Sequence, residues 1–494
     1  MPPIKIEEKI ALSQSCLWQA QRHYFEEEGI HAWQQVPFFV SSNPFIADRY
    51  ARLIAAYLQD IDIDPAEPVY IVELGSGTGQ FSYYCNLALK KYLQHPHFSS
   101  LKICYVMTDF TVSNQSFWEE QAVFAPWFAD GSLDTALLDI EAPEPLFLLH
   151  QQRSLERLKN PLIVIANYVF DSVRHDLFSI HKGQVHESLI DTYIAPEDYA
   201  AAEQKILGLK NISFRYQAQP LVLQEEPLAA LLQFYQDHLK ESEFSIPTST
   251  LHLLDFFKDY APAGVLTISS DKGLNHLDEF PQVHPRDLVF HGSFSFEVNF
   301  HAIAVYQALQ GGRACLQSYR EGLKTNLFLS KAQETPYLDQ AFTDHVDTFG
   351  PADYFRSHTH FKNQLHFDPH LALAQLRLSE QDPYVFSLML TPLCQCISTQ
   401  SLAIQNAFVA LIPQIFKQIY PLPESPDHAF NLGFFLHTLH RYQEAIPYYE
   451  ASLQHTGERY DSCFNLGICF SYSDLVQSQV YFEKARALAK VKQS

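Results

Sequence analysis

Basic residues are scarce in this chain of 494 residues: 34 Lys+Arg stand against 56 Asp+Glu, a net charge of −22. A polyanion is held by Lys and Arg that displace its counterions, so this balance argues against nonspecific nucleic-acid binding and mildly favours basic partners. Long apolar runs are absent too. No stretch reaches the 18 or so apolar residues of a membrane-spanning helix, and the N-terminus MPPIKIEEKIALSQS places acids where a secretion signal needs a basic and then an apolar region. No membrane partner is expected, and the protein is read as cytoplasmic. The eight cysteines are scattered, several inside apolar runs such as KICYV and GICF. They read as reduced, buried thiols rather than a disulfide framework.

What the chain does have is core-building material. Its 47% AVILMFWYC and 18% charged residues belong to a folded protein without the low hydrophobicity of disorder, with length for about three domains. Residues 5–34 carry helical spacing, and Asn43-Pro44 opens a second helix, FIADRYARLIAAYLQD, so residues 1–65 read as a helical N-terminal extension. From Val69 short β-branched runs (VYIVEL, LKICYVMT, LLDI, PLIVIAN, GVLTISS) alternate with helical stretches. Strands that are apolar throughout predict an α/β domain, a Rossmann-like parallel sheet covered by helices on both sides, over about 66–330. Residues 196–262 read as a helix-rich insertion or lid, 331–370 as a linker, and 371–494 as helices only.

Near the C-terminus Phe430-Asn431-Leu432-Gly433 recurs as Phe464-Asn465-Leu466-Gly467, an interval of 34 residues. This resembles the tetratricopeptide repeat, whose period it shares. Ala445, Tyr449 and Leu453 in one unit, and Ser478, Phe482 and Ala485 in the next, resemble that family's small and aromatic interhelical contacts. The resemblance implies repeats over about 427–494 that contact a protein partner, expected to be the substrate. Two units are few for a stable stack, so the helices of 371–420 are expected to extend it. The plain alternative is a pair of helical hairpins with no partner.

VYIVEL runs directly into Gly75-Ser76-Gly77-Thr78-Gly79. Glycines between a strand and a helix let the backbone turn tightly and let a ligand lie against it. The dinucleotide fingerprint would want glycine where Gln80 stands, and the Gly-Lys-Ser/Thr of a P-loop is missing. VELGSGTG instead resembles the first motif of class I S-adenosylmethionine-dependent methyltransferases. That resemblance implies S-adenosyl-L-methionine as cofactor, with Gly75, Ser76, Gly77, Thr78 and Gly79 beneath it and Glu73 at its amino-acid end. Asp109, ending YVMTDF, would take the ribose hydroxyls, and Asp139 would lie near the adenine. A carboxylate suits two vicinal hydroxyls because it accepts from both. A turn or helix-capping acid is the structural alternative for Asp109.

Residues 36–330 further resemble the MidA-like methyltransferases, which include a mitochondrial complex I assembly factor with protein-arginine methyltransferase activity. VPFFVSSNPFIADRYARLI looks like their stretch before the first motif, IVIANYVFDS like their Asn-Glu-Phe-Phe-Asp motif, and GSFSFEVNFHAIAVYQALQGG like a late Val-Asp-Phe segment. Tyr168 and Asn299 replace family acids. Losing an acid beside the acceptor weakens the case for arginine, whose guanidinium fork pairs with carboxylates.

The sites implied are Asn167 and Asp171 at the end of the fourth strand. Asn167, beside the cofactor, would orient an acceptor nitrogen through its carbonyl, and Asp171 would polarise the acceptor, with His175 as a second candidate base. Each has a structural alternative: a cap for Asn167, a pair with Arg174 or Lys182 for Asp171, a surface place for His175. The cluster His358, His360, His366, Asp368 and His370 reads as loop or edge strand, and no metal site is expected. The expected activity is methyl transfer to a protein side chain. The rivals are a silent scaffold of methyltransferase fold and a small-molecule methyltransferase.

Overall fold

The computed structural model describes residues 2–30, 42–196, 212–221, 227–280, 289–291, 293–362, 367–423 and 425–491. It divides into two units, one of Met1–Ser42 and Ile46–Tyr354, the other of Asn43–Phe45 and Phe355–Ser494.

In chain order the first unit contains β1 (Ile4–Ile10), α1 (Cys16–Glu28), α2 (Pro44–Asp60), β2 (Val69–Leu74), α3 (Gln80–Leu93), β3 (Ile103–Asp109), α4 (Val112–Glu120), β4 (Leu133–Leu137) and β5 (Leu162–Asn167). There follow β6 (Asp176–His181), β7 (Gln184–Ile194), β8 (Ser213–Pro220), α5 (Leu228–His238), β9 (Ser242–Ile246), α6 (Thr248–Tyr260), β10 (Val265–Leu274), α7 (Phe300–Leu309), β11 (Arg313–Cys315) and β12 (Leu323–Leu329). The main sheet has the order β11-β12-β10-β5-β2-β3-β4, with the short strand Val298–Asn299 beside the end of β10. The run from β10 to β4 is parallel, while β12 lies antiparallel to β10. Every residue of β2 is buried, as a strand covered on both faces requires. Tyr70, Val72 and Leu74 of β2 share one core with Leu251, Leu254 and Phe257 of α6 and Phe300 and Ile303 of α7.

Three expectations give way here. Residues 4–10 form a strand, because they pair antiparallel with β7 at the edge of a second sheet; helical spacing cannot register so distant a partner. The expected helix-rich insertion holds α5 and α6 but also contributes strands β8 and β9 to that same antiparallel sheet, ordered β1-β7-β6-β9 with β8 also on β7. Part of it, 197–211 and 222–226, lies outside the described residues. The expected linker 331–370 holds helices at Pro336–Phe342 and Pro351–Lys362, with a π-helical turn Thr343–Asp347 between, and the units divide within it. His358 is thus helical, not in a loop, and His366 lies outside the described residues.

The strand β12 (LKTNLFL) escaped pattern reading because Lys324, Thr325 and Asn326 break its apolar run. All three are buried, and Lys324 is satisfied by Glu279 at 2.5 Å.

The second unit is all helix: α8 (Pro369–Leu378), α9 (Pro383–Cys396), α10 (Leu402–Lys417), α11 (His428–Thr438), α12 (Tyr442–Thr456), α13 (Tyr460–Phe470) and α14 (Leu475–Val491). The pairs α11/α12 and α13/α14 form equivalent hairpins. In each a glycine lets an aromatic ring approach the first helix: a Cβ on Gly433 would lie 3.0 Å from Tyr449, and one on Gly467 2.7 Å from Phe482. Helices α8 to α10 share a single core with them, with Leu376, Phe386, Phe408 and Ile412 packed among Leu432, Phe435, Tyr449 and Leu466.

Candidate functional site

In the main sheet β2, β3 and β4 run outward to one side and β5 and β10 to the other, so the order reverses between β2 and β5. Open α/β sheets bind ligands outside the carboxyl ends of the strands at such a reversal. The loop 75–79 leaves β2 at this point. Gly75, Gly77 and Gly79 have φ of 58°, 52° and 76°, a left-handed conformation that glycine adopts without strain. The Trp118 indole N–H donates to the Gly77 carbonyl at 2.8 Å, and Ser76 N–H to the Thr108 carbonyl at 2.8 Å, so α4 and β3 brace the loop.

Two hollows meet here, sharing Gly75 and Tyr168. The first is a polar slot walled by Glu73, the loop from Gly75 to Thr78, Phe81 and Asn167. The second is a mainly apolar cavity beneath α1, walled by Trp18, Arg22, Phe25, Asp109, Phe110, Ile140 and Val173. Asp109 and Asp139 both border the cavity, Glu73 and Asn167 the slot.

Glu73 is buried, and one carboxylate oxygen accepts from the hydroxyls of Ser82 and, at 2.7 Å, Tyr105. Burial outweighs these bonds and pushes its pKa up to about 7. Asp109 accepts from Thr111 N–H and Oγ1, both at 3.0 Å, and from Asn114 Nδ2 at 2.8 Å, while burial raises its pKa. It therefore ties down the start of α4, as a turn acid would, and also faces the cavity. Asp139 lies two residues past the end of β4, where Arg22 of α1 pairs with it at 2.8 Å and covers the Phe110 ring at 4.7 Å.

Asn167 ends β5. Its Oδ1 accepts from the Tyr50 hydroxyl at 2.6 Å, while its buried Nδ2 has no partner. The carbonyl expected to orient an acceptor nitrogen thus takes the Tyr50 hydroxyl on one of its two lone pairs. Tyr168 follows at φ 49°, a conformation costly for a bulky side chain, with its N–H donating to the Ser270 carbonyl at 3.0 Å.

The structure removes both proposed proton-handling residues from the hollows. Asp171 is buried behind the turn that follows β5: its carboxylate accepts from Ser172 Oγ at 2.7 Å, and its N–H donates to Asp271 Oδ2 at 3.1 Å. The turn after β5 is 3-10 rather than α, so a spacing of four does not return Asp171 to the side of Asn167. His175 is buried, not exposed, with Nε2 2.8 Å from the Phe170 carbonyl and its ring stacked on Phe296. Burial lowers its pKa to about 4, so it is neutral near pH 7. Asn299 caps α7, accepting from Ala302 N–H at 2.8 Å and donating to the Ser245 carbonyl at 3.0 Å. Among the described residues no group of three His, Cys, Asp or Glu is placed to hold a metal.

Sequence reasoning missed Trp18, Arg22 and Tyr50. No local signal marks them, because only the packing of α1 and α2 brings them to the strand ends.

No family model matches the chain, and no curated protein matches it. Solved structures similar to it include a COG1565 superfamily member from Burkholderia thailandensis bound to S-adenosyl-homocysteine. It is 17% identical at a TM-score of 0.36, over 56% of this chain and 64% of that one, less than two thirds of its length. A native structure of a COG1565 superfamily protein from the same organism is 14% identical at 0.39, over 76% and 89%. The magnesium protoporphyrin IX methyltransferase of Synechocystis PCC 6803 with bound SAH is 12% identical at 0.27, over 63% and 98%. The reading of the site rests on its own geometry.

Proposed function

We propose that this chain is a class I S-adenosylmethionine-dependent methyltransferase. The observation that carries the reading is the left-handed glycine loop at the sheet reversal, with Glu73 on its slot side and Asp109 on its cavity side. A ligand laid across Gly75 would put an ammonium near Glu73 and vicinal hydroxyls near Asp109. The cofactor supplies an electrophilic methyl group. The protein's part is alignment and exclusion of water: the loop offers backbone contacts, and α1 roofs the cavity with Trp18 and Phe25. With Asp171 and His175 buried elsewhere, and Asp139 and Glu141 paired to Arg22 and Arg174, the acceptor must reach the methyl with little help from a side-chain base.

The acceptor we favour is a protein side chain, with the C-terminal hairpins, read as tetratricopeptide repeats, recruiting the protein that carries it. The exposed Phe434 and Phe464 are the anchors we assign to that contact. No helix among the described residues is long and apolar enough to cross a membrane, in keeping with a cytoplasmic enzyme. Labelled cofactor added with a lysate of the host tests the proposal: label found by mass on a protein supports it, and label found on small molecules replaces the protein acceptor. A cofactor-binding scaffold is the second reading, favoured by the burial of Asp171 and His175. It is distinguished by tight binding of S-adenosylhomocysteine without any label transferred.

A further inference from the structure

Helix α1 is held unevenly along its length. Its buried residues, Leu17, Trp18, Ala20 and Gln21, all lie in its first half, where Leu17, Trp18 and Ala20 share a core with Ile190, Phe294 and Phe296. Hydrogen bonds fasten the same end. Glu7 Oε1 accepts Cys16 N–H at 2.7 Å, Asp176 Oδ1 accepts Ser13 N–H at 2.9 Å, and the Trp18 indole donates to the Leu12 carbonyl at 2.7 Å. The second half spans the cavity. Trp18, Gln21, Arg22, Phe25 and the capping Gly29 all wall it, a spacing that turns one helix face toward a hollow instead of a core. The last turn carries Glu26, Glu27 and Glu28 and no basic residue, so negative charge sits at the negative end of the helix dipole and weakens that turn.

Arg22 is the side chain that ties this half down. Its guanidinium reaches Glu26 at 3.6 Å within the helix and Asp139 at 2.8 Å across the cavity edge, and lies 4.7 Å over the Phe110 ring. Arg22, Phe110 and Asp139 also wall a second hollow, whose other walls include the exposed Leu137, Ala142 and Glu144. These three residues are therefore the partition between the cavity under α1 and a hollow on the surface.

We propose that α1 is a roof hinged at its first half and latched by Arg22 onto Asp139 and Phe110, and that release of this latch admits ligand to the cavity from the outer hollow. The nature of the ligand, S-adenosylmethionine or its demethylated product, rests on the methyltransferase reading; the latch belongs to the ligand-free protein. The Arg22 and Asp139 side chains are 35% and 32% exposed, so the pair is weak enough to open and is screened by salt.

The test uses Arg22→Met in the full chain, which removes the charge and keeps an unbranched stem over Phe110. Amide hydrogen exchange of the ligand-free proteins should be about three- to tenfold faster in the variant over residues 22–28 and unchanged over residues 16–20. Stopped-flow binding of S-adenosylhomocysteine, followed by the fluorescence of Trp18 in the cavity wall, should show association and dissociation accelerated together by a similar factor. The dissociation constant should then change less than twofold, because the latch opens in the free and the bound protein alike. Added salt should speed release from the parent and leave the variant unchanged. Exchange that is unaltered, or equally faster in both halves of α1, would overturn the hinge and latch. A faster dissociation alone would overturn it too, since Arg22 would then be a ligand contact. If the parent does not bind S-adenosylhomocysteine, the methyltransferase reading falls, and hydrogen exchange still decides the latch.

Discussion

Glu73 makes cofactor binding depend on pH in a direction the structure sets. In the ligand-free protein burial raises its pKa from 4.5 to about 7, so near pH 7 about half the molecules carry a proton there. An ammonium placed against it favours the ionised form, so binding must expel that proton. Restoring an ordinary carboxylate pKa on binding would be worth about 3 kcal/mol. Below pH 7 affinity for S-adenosylhomocysteine should therefore fall by up to about tenfold per pH unit. Titration calorimetry at pH 7 in two buffers of different ionisation enthalpy should show about half a proton released per ligand. Measurements kept between pH 5.5 and about 7.5 avoid titrating the ligand's own α-amino group. Glu73→Gln should lose both the slope and the proton release. The same linkage acts on stability: because the folded-state pKa is the higher one, the contribution of Glu73 is present below pH 4.5 or so and is lost as pH rises through about 7. The ligand-free parent should therefore lose stability relative to Glu73→Gln over that interval. Affinity that is flat across the range, or a parent and variant with the same profile, would refute the placement of the ammonium.

Four further outcomes follow from the geometry. Gly77→Val should abolish cofactor binding, because a branched side chain would crowd a left-handed loop; Asp109→Ala should cost about 1–3 kcal/mol of affinity, read by calorimetry, and an unchanged dissociation constant would move the ribose site elsewhere. His175→Ala should lower stability by about 2–4 kcal/mol in denaturant titration while leaving the pH profile of turnover unmoved; its own contribution, from a pKa lowered to about 4, is present above pH 6.5 or so and is lost as pH falls toward 4. Gly467→Ala should destabilise the C-terminal unit by about 1–3 kcal/mol and Gly433→Ala by less, since the added methyl meets a ring at 2.7 Å in one and 3.0 Å in the other. Thermal unfolding of the full chain would show this, with cofactor affinity preserved.

The glycine loop was legible because a strand, a glycine-rich turn and a helix are adjacent in the chain, and the acids ending the strands came with it. The 34-residue recurrence likewise fixed the place of the two hairpins, whose glycine and aromatic positions meet as spacing requires. Asp171 and His175 were misread because the position of a residue after a strand does not tell whether the next turn is α or 3-10, nor what covers its side chain. Asn167 was half legible: its location at a strand end could be read, but not that the Tyr50 hydroxyl would meet its amide.

Local periodicity was therefore sufficient for the parallel strands β2, β3 and β5, which are apolar because both their faces are covered. Pairing between distant segments decided the rest. β1 is a strand only because β7 lies beside it, and β12 tolerates Lys324, Thr325 and Asn326 only because Glu279, Ser270 and Asn275 satisfy them. Arg22 and Tyr50, with Ser270 and Thr325 hydrogen-bonded behind it, reach the site through packing between elements tens to hundreds of residues apart, and no local pattern encodes contacts of that range.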